Sequence, residues 1–220
     1  MLYFYFSLYM IASAMNTQEQ PAKIVFFGDS ITEAAVKTNG FINLIDKRLI
    51  AENKNNKYNL IGAGISGNKI YDLYFRMEKD VLATKPDIVV IWIGVNDVWH
   101  KSMKGTGSDL NKFEVMYETM IEKFQSAGIK VYCGTPACIG EKTDHSNSQD
   151  GDLNEFSKSI RKIAANKSAR LIDFRSQFLS SNLKINLDNK YQGILTTDGV
   201  HLNDKGNQLV ADILWQTLIK

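Results

Sequence analysis

The chain has 220 residues, 44% of them hydrophobic and 23% charged, with a net charge of +2. That length suits one domain with a sizeable core, and the composition excludes a disordered chain. Basic and acidic residues are interspersed without a basic stripe, which argues against nucleic acid as a partner, and no P-loop motif is present to cradle a phosphate.

The first 14 residues, MLYFYFSLYMIASA, carry no charged side chain and end in Ala12-Ser13-Ala14. An apolar run closed by small residues in an A-x-A pattern predicts a signal peptide over 1–14, and so a periplasmic or secreted protein. The run is short for a bilayer, so the mature chain is expected to make no stable membrane insertion. A single domain over 22–220 follows. Cys133 and Cys138 are the only cysteines. Export would permit a disulfide between them, but the favoured reading is two buried thiols near a strand end, because spacing cannot establish disulfide geometry. Two cysteines without a histidine cluster make no structural zinc site.

The first element is a strand, Lys23 to Phe27, which stops at Gly28-Asp29-Ser30. A buried strand ending in a tight turn that presents one hydroxyl reads this way. A helix follows over Gly40–Ile50, with Phe41, Ile42, Ile45 and Leu49 at helical spacing. Tyr58–Ile61 is a short strand running into the glycine-rich turn Gly62–Gly67. Lys69–Leu82 reads as a helix with Ile70, Leu73, Tyr74, Met77 and Val81 on one face. Asp87–Ile93 is apolar on both faces, as in a central parallel strand, and ends at Gly94-Val95-Asn96-Asp97. His100–Ser108 is rich in Lys, Gly and Ser and is expected to be a mobile connection. Asp109 is expected to cap a helix reaching Ala127, with Phe113, Met116, Met120, Ile121 and Phe124 inward. Ile129–Cys133 is a fourth strand. Residues 137–150 form a polar loop, Leu153–Asn166 a helix, Arg170–Asp173 a fifth strand and Phe174–Leu183 a helix. A loop then reaches Thr197-Asp198-Gly199-Val200-His201, and a last helix opens at Asn203 or Asp204.

Strands and helices alternate throughout, which argues for a parallel sheet with helices on both faces. Ligands in such folds bind beyond the carboxyl ends of the strands. Three strand ends carry a polar or glycine-rich turn: Gly28-Asp29-Ser30, Gly64-Ile65-Ser66-Gly67 and Gly94-Val95-Asn96-Asp97. All three belong on one edge of the sheet.

A serine hydroxyl needs a base to become a nucleophile, and histidine is the usual one. The sequence holds three histidines. His100 and His145 lie in polar stretches where a solvated ring is the plainer reading. His201 follows Asp198 by three residues, within reach of an aspartate that could hold its tautomer and stabilise the imidazolium. A developing oxyanion needs donors. The amides of Ser30 and Gly67 and the side chain of Asn96 are candidates. Gly62-Ala63-Gly64-Ile65-Ser66-Gly67 also matches G-x-G-x-x-G, but it follows the second strand instead of the first. The next strand ends in Ile93-Gly94-Val95 with no acid there, and the first acid beyond that end, Asp97, comes about ten residues later than a ribose-binding carboxylate should. A dinucleotide site is therefore rejected.

Together these blocks make the chain similar to the GDSL, or SGNH, hydrolases. Gly28-Asp29-Ser30-Ile31-Thr32 matches the serine block and Gly64-Ile65-Ser66-Gly67-Asn68 the glycine block. Gly94-Val95-Asn96-Asp97 matches the asparagine block and Asp198-Gly199-Val200-His201-Leu202 the block with acid and base. Asn68 stands where many members carry aspartate, a difference expected to affect the turn more than the chemistry. The resemblance implies a three-layer α/β/α sandwich with a five-stranded parallel sheet, of flavodoxin-like type. It implies a serine esterase with Ser30, Asp198 and His201 catalytic and Ser30, Gly67 and Asn96 as the oxyanion hole, without metal or organic cofactor. A small-molecule or carbohydrate ester is the expected substrate. Val98–Ser108 and Ala137–Asp150 border the site, where Trp99 and Tyr71 could stack on a sugar. Neither segment has the length or apolarity of a lipase lid, which favours O-acetyl groups on carbohydrates. A lysophospholipase or thioesterase is the alternative within the family, and a non-catalytic carbohydrate-binding relative the alternative outside catalysis. The intact set of site residues argues against the latter.

Overall fold

In the computed structural model, residues 20–219 are described. The signal peptide expected over 1–14 lies outside them. The first half of the chain runs β1 (Ala22–Gly28), α1 (Ser30–Ala34), α2 (Phe41–Ala51), β2 (Tyr58–Gly64), α3 (Ile70–Asp80), β3 (Ile88–Trp92) and α4 (Val95–Lys104). The second half runs α5 (Leu110–Ser126), β4 (Lys130–Gly134), α6 (Asp150–Asn166), β5 (Arg170–Ile172), α7 (Phe174–Ile185) and α8 (Asp204–Leu214), closed by a wider turn over Trp215–Ile219. The five strands form one parallel sheet in the order β2-β1-β3-β4-β5.

The strand order explains the composition of each strand. β1 lies between β2 and β3, with Ile24 opposite Leu60 on one side and Ile88 on the other. Its residues Ile24 to Phe27 are buried whichever face they point to, because helices cover both faces of a parallel sheet. Consecutive side chains mark the two layers. Phe26 packs edge-on against Phe41 of α2, and Phe27 against Phe124 of α5. On the Phe26 side Trp92 also meets Phe41 and stacks on Phe174 of α7 at 4.2 Å, and α2 packs on α8. On the other side α3, α5 and α6 pack together. The chain leaves β1 for β2 on one side and then crosses to β3 on the other. The crevice between the carboxyl ends of β1 and β3 is thus the switch point where such folds bind ligands.

Four differences from the sequence reading have physical causes. The stretch after β3 is helical as far as Lys104, not a mobile connection. Gly94, at φ 121°, turns the chain into α4 directly, and Gly105 ends it in the left-handed region at φ 68°, so Asn96 and Asp97 lie in the first turn of a helix. Asp109 precedes α5 without capping it through its side chain, and pairs with Lys101 instead. On α5 Tyr117 is fully buried, while the Met116 expected there is only partly covered. Within the expected polar loop after β4, Ala137 to Glu141 are buried. The two cysteines are free buried thiols.

Candidate active site

Gly28 shows how closely the nucleophile turn is packed. A Cβ there would lie 2.3 Å from Thr32 Oγ1 and 2.5 Å from the Trp92 carbonyl, so only glycine lets β1 end against β3 while the chain folds back into α1. Asp29 takes the capping role that a serine at this position would otherwise fill: its Oδ1 accepts from the Ile31 N–H at 3.0 Å. The Ser30 hydroxyl is left to face His201, with Oγ 2.9 Å from Nε2. His201 Nδ1 lies 2.7 Å from Asp198 Oδ2, and Asp198 Oδ1 accepts the backbone N–H groups of His201 and Val200 at 2.8 and 3.0 Å. An Nδ1–H held by the carboxylate leaves Nε2 free to take the serine proton. Partial burial pushes the Asp198 carboxyl up, but its contacts with His201 and those amides outweigh this and hold it below the usual aspartate range.

The oxyanion candidates sit on the neighbouring strand ends. Gly67 is the third residue of a turn closed by the Asn68 N–H on the Ile65 carbonyl at 3.2 Å. Its φ of 79° is the left-handed value such a turn needs there. Ile65 N–H donates to the Gly28 carbonyl at 3.2 Å, fastening this turn to the nucleophile strand. Asn96 is 2% exposed and its Nδ2 donates to the Asn68 carbonyl at 3.1 Å, which fixes the amide plane and leaves its second N–H for a ligand. Among the described residues the amides of Ser30 and Gly67 have no hydrogen-bond acceptor. Trp99 links the halves of the site: its ring centre is 6.1 Å from that of His201 and 5.7 Å from that of His100. His100 Cε1 lies 4.0 Å from where a Gly67 Cβ would stand. His100 therefore borders the site instead of standing in solvent, and burial, with Lys69 and Lys104 nearby, lowers its basicity. His145 is exposed, as expected.

The sequence reading passed over Arg76 and placed Asp97 only in a turn. Arg76 of α3 donates from Nη2 to the carbonyls of Gly28 and Ala63 at 2.7 and 3.0 Å, and from Nε to Asn68 Oδ1 at 2.7 Å. One guanidinium thereby ties together the ends of β1 and β2 and the Gly67 turn. Its signal was a cation next to the buried Leu73 and Met77 stripe. Asp97 accepts the Ile70 N–H at 3.2 and 3.3 Å, joining the starts of α3 and α4. Burial raises Asp97 to about 6 and Asp29 to about 7.

All five residues expected at the site are brought to one edge of the sheet. A serine, histidine and aspartate in one hydrogen-bonded line, at the switch point of a doubly wound sheet, form the arrangement of a serine hydrolase. The chain belongs to the GDSL-like lipase/acylhydrolase family, whose model matches residues 26–209. It is a carboxylic ester hydrolase of that family, as the resemblance implied. A solved structure of an acetyl xylan esterase, AlAXEase, is 56% identical and aligns over 89% of this chain and 99% of that one, with a TM-score of 0.88. An acetylxylan esterase of Geobacillus stearothermophilus is 27% identical over 208 residues, 86% of this chain and 90% of that protein. A solved variant of an acetyl-xylooligosaccharide esterase from Geobacillus is 25% identical, covering 90% of this chain and 94% of its own, with a TM-score of 0.79.

Proposed function

We propose that the chain removes O-acetyl groups from xylan-type carbohydrates through an acetyl-enzyme on Ser30. The observation that carries the chemistry is the unbroken line from Ser30 Oγ through His201 to Asp198, at 2.9 and 2.7 Å. His201 Nε2 takes the Ser30 proton as Oγ adds to the acetyl carbonyl. The negative oxygen forms opposite the amides of Ser30 and Gly67 and the Asn96 side chain, each donor being worth about 100- to 1000-fold in rate. His201 then protonates the departing sugar oxygen. A water activated by the same ring cleaves the acetyl-enzyme and releases acetate.

The similarity to acetyl xylan esterases supports acetylated xylan as the substrate class. The exposure of the pair also favours it: the side chains of His201 and Asp198 are 38% and 46% exposed. An open site of that kind leaves room for a bulky alcohol beside a short acyl group. An acyl-length series of p-nitrophenyl esters, run beside acetylated xylo-oligosaccharides, tests this. Acetate is expected to be preferred and acetate release from the oligosaccharides to be rapid. A kcat/KM that climbs toward long acyl chains would overturn it and favour a lysophospholipase or thioesterase. The uncharged leader ending in Ala12-Ser13-Ala14 supports export, with a mature chain beginning at Met15. Mass spectrometry of the secreted product would expose an error, since an intact Met1 would exclude cleavage.

A further inference from the structure

The residues that carry Asp198 and His201 come from a stretch with almost no regular structure. Between the end of α7 and the start of α8, the only ladder contact among the described residues is the single bridge Thr196 to Leu202. Backbone groups there cannot rely on neighbouring strands and need other partners. One side chain supplies three of them. Glu141, in the connection after β4, is 1% exposed. Its Oε1 accepts the N–H groups of Leu195 and Thr196 at 2.5 and 3.1 Å, and its Oε2 accepts that of Ile194 at 2.9 Å. No lysine, arginine or histidine pairs with it among the described residues.

The main chain around Glu141 grips the same loop. Its N–H donates to the Tyr191 carbonyl at 2.8 Å, and its carbonyl accepts from Asn186 Nδ2 at 2.7 Å. Gly140 N–H donates to the Gly199 carbonyl at 2.8 Å. From Thr196 the contacts pass directly to the catalytic pair. Thr196 Oγ1 accepts the Gly199 N–H at 3.0 Å, and the Thr197 N–H donates to the His201 carbonyl at 2.8 Å. The segment bearing Glu141 is itself anchored. Arg175, fully buried, donates to the Ala137 carbonyl at 3.1 Å and to Asp150 at 2.6 Å.

We infer that Glu141 is a positioning residue for the acid–base pair: a buried carboxylate that fixes the loop from Ile194 to His201 so that Nε2 meets Ser30. A carboxylate without a cation is costly in a core unless several donors satisfy it. Here the donors are three consecutive amides of the loop that carries the chemistry. No other residue type of this length accepts three N–H groups on two oxygens without offering a proton of its own. Displacements of about 1 Å in a catalytic group can cost about 100-fold in rate, so the holding contacts matter to turnover as well as to folding.

The test uses the full chain and p-nitrophenyl acetate, with rates referred to the folded fraction measured by circular dichroism. Glu141→Gln keeps the shape but turns an amide NH₂ toward backbone N–H groups. It is expected to lower kcat by about 10- to 100-fold with KM within about twofold, and to slow fluorophosphonate labelling of Ser30 in step. Thr196→Val leaves the three amides paired and removes only the acceptor for Gly199. It is expected to lower kcat by about fivefold, with recovery in Thr196→Ser. Arg161→Gln loosens a distant, partly exposed ion pair with Asp173 and is expected to affect melting alone. The inference is overturned if Glu141→Gln and Thr196→Val keep the parental kcat per folded molecule, or if the loss lies wholly in KM. Should Glu141→Gln fail to fold, the Thr196 pair decides.

Discussion

Ser30, Gly67 and Asn96 follow the ends of β1, β2 and β3, three strands held side by side by continuous parallel pairing. Asp198 and His201 follow no strand of the sheet, and their loop is held by buried side chains that reach in from distant parts of the chain. The electrostatics differ in the same way. The two carboxylates beneath the nucleophile side, Asp29 and Asp97, are 2% and 0% exposed, and burial raises both. Asp198 is open to solvent, and its contacts hold it low. A sheet places atoms by repetition, so its polar groups can be packed dry. A loop can place them equally well only where each backbone donor finds its own acceptor. Hydrolysis needs the two constructions to meet at one hydrogen bond, from Ser30 to His201.

Breaking that meeting point should have the largest effect. Ser30→Ala is expected to lower kcat by about a million-fold and to abolish fluorophosphonate labelling, with the circular dichroism spectrum unchanged. Measurable labelling of the variant would remove Ser30 from the chemistry. Asp198→Asn attacks the loop side alone and keeps its shape. A drop of about 10⁴-fold in kcat is expected, and a loss under tenfold would show that the backbone contacts orient His201 without the acid. Asn96→Ala attacks the sheet side, with an expected cost of about 100- to 1000-fold. That loss should fall on kcat, and a change confined to KM would reassign Asn96 to ground-state binding.

The smallest effect sharpens the electrostatic contrast. Asp29 has its pKa raised from 3.8 to about 7 by burial. It therefore favours the fold most below its unfolded pKa, and that contribution is lost as pH rises through the folded value. Asp198, being lowered, has the opposite sign and loses its contribution as pH falls. Asp29→Asn keeps a capping oxygen and removes the charge. Its stability relative to the parent should be near zero at about pH 4 and grow to about pH 7, reaching on the order of 4 kcal/mol above that. Urea denaturation at pH 4.5 and 8 would measure it, and equal differences at the two values would contradict the burial argument.

What the sequence revealed follows the same division. The central strands β1 and β3 and their closing turns were legible, because a buried parallel strand is apolar on both faces and here runs into a glycine turn. The Asp198–His201 pair was legible because its partners are three residues apart. α4 was missed because the stretch His100–Ser108, which holds its last turn, has a Lys, Gly and Ser content that resembles a loop, while its start depends on the backbone angle at Gly94. Arg76 and Glu141 were missed for a different reason. Each is defined by acceptors or donors far away in the chain, Glu141 by amides more than fifty residues on, and no local pattern carries that information.

The two thiols give each construction its own reporter. Cys133 lies in β4, among the paired strands, and Cys138 lies beside the catalytic loop, its Sγ 3.6 Å from the Gly199 carbonyl. Burial pushes Cys133 up to about 12 and raises Cys138 further, so in the closed protein neither supplies thiolate to an alkylating reagent. Modification must wait for an opening, and its rate counts how often that opening occurs. Maleimide uptake under native conditions, resolved by peptide mapping, thus compares the breathing of loop and sheet in one molecule without any introduced label. If the loop opens on its own, Cys138 is modified ahead of Cys133; if the two constructions open only together, both are modified at a single rate.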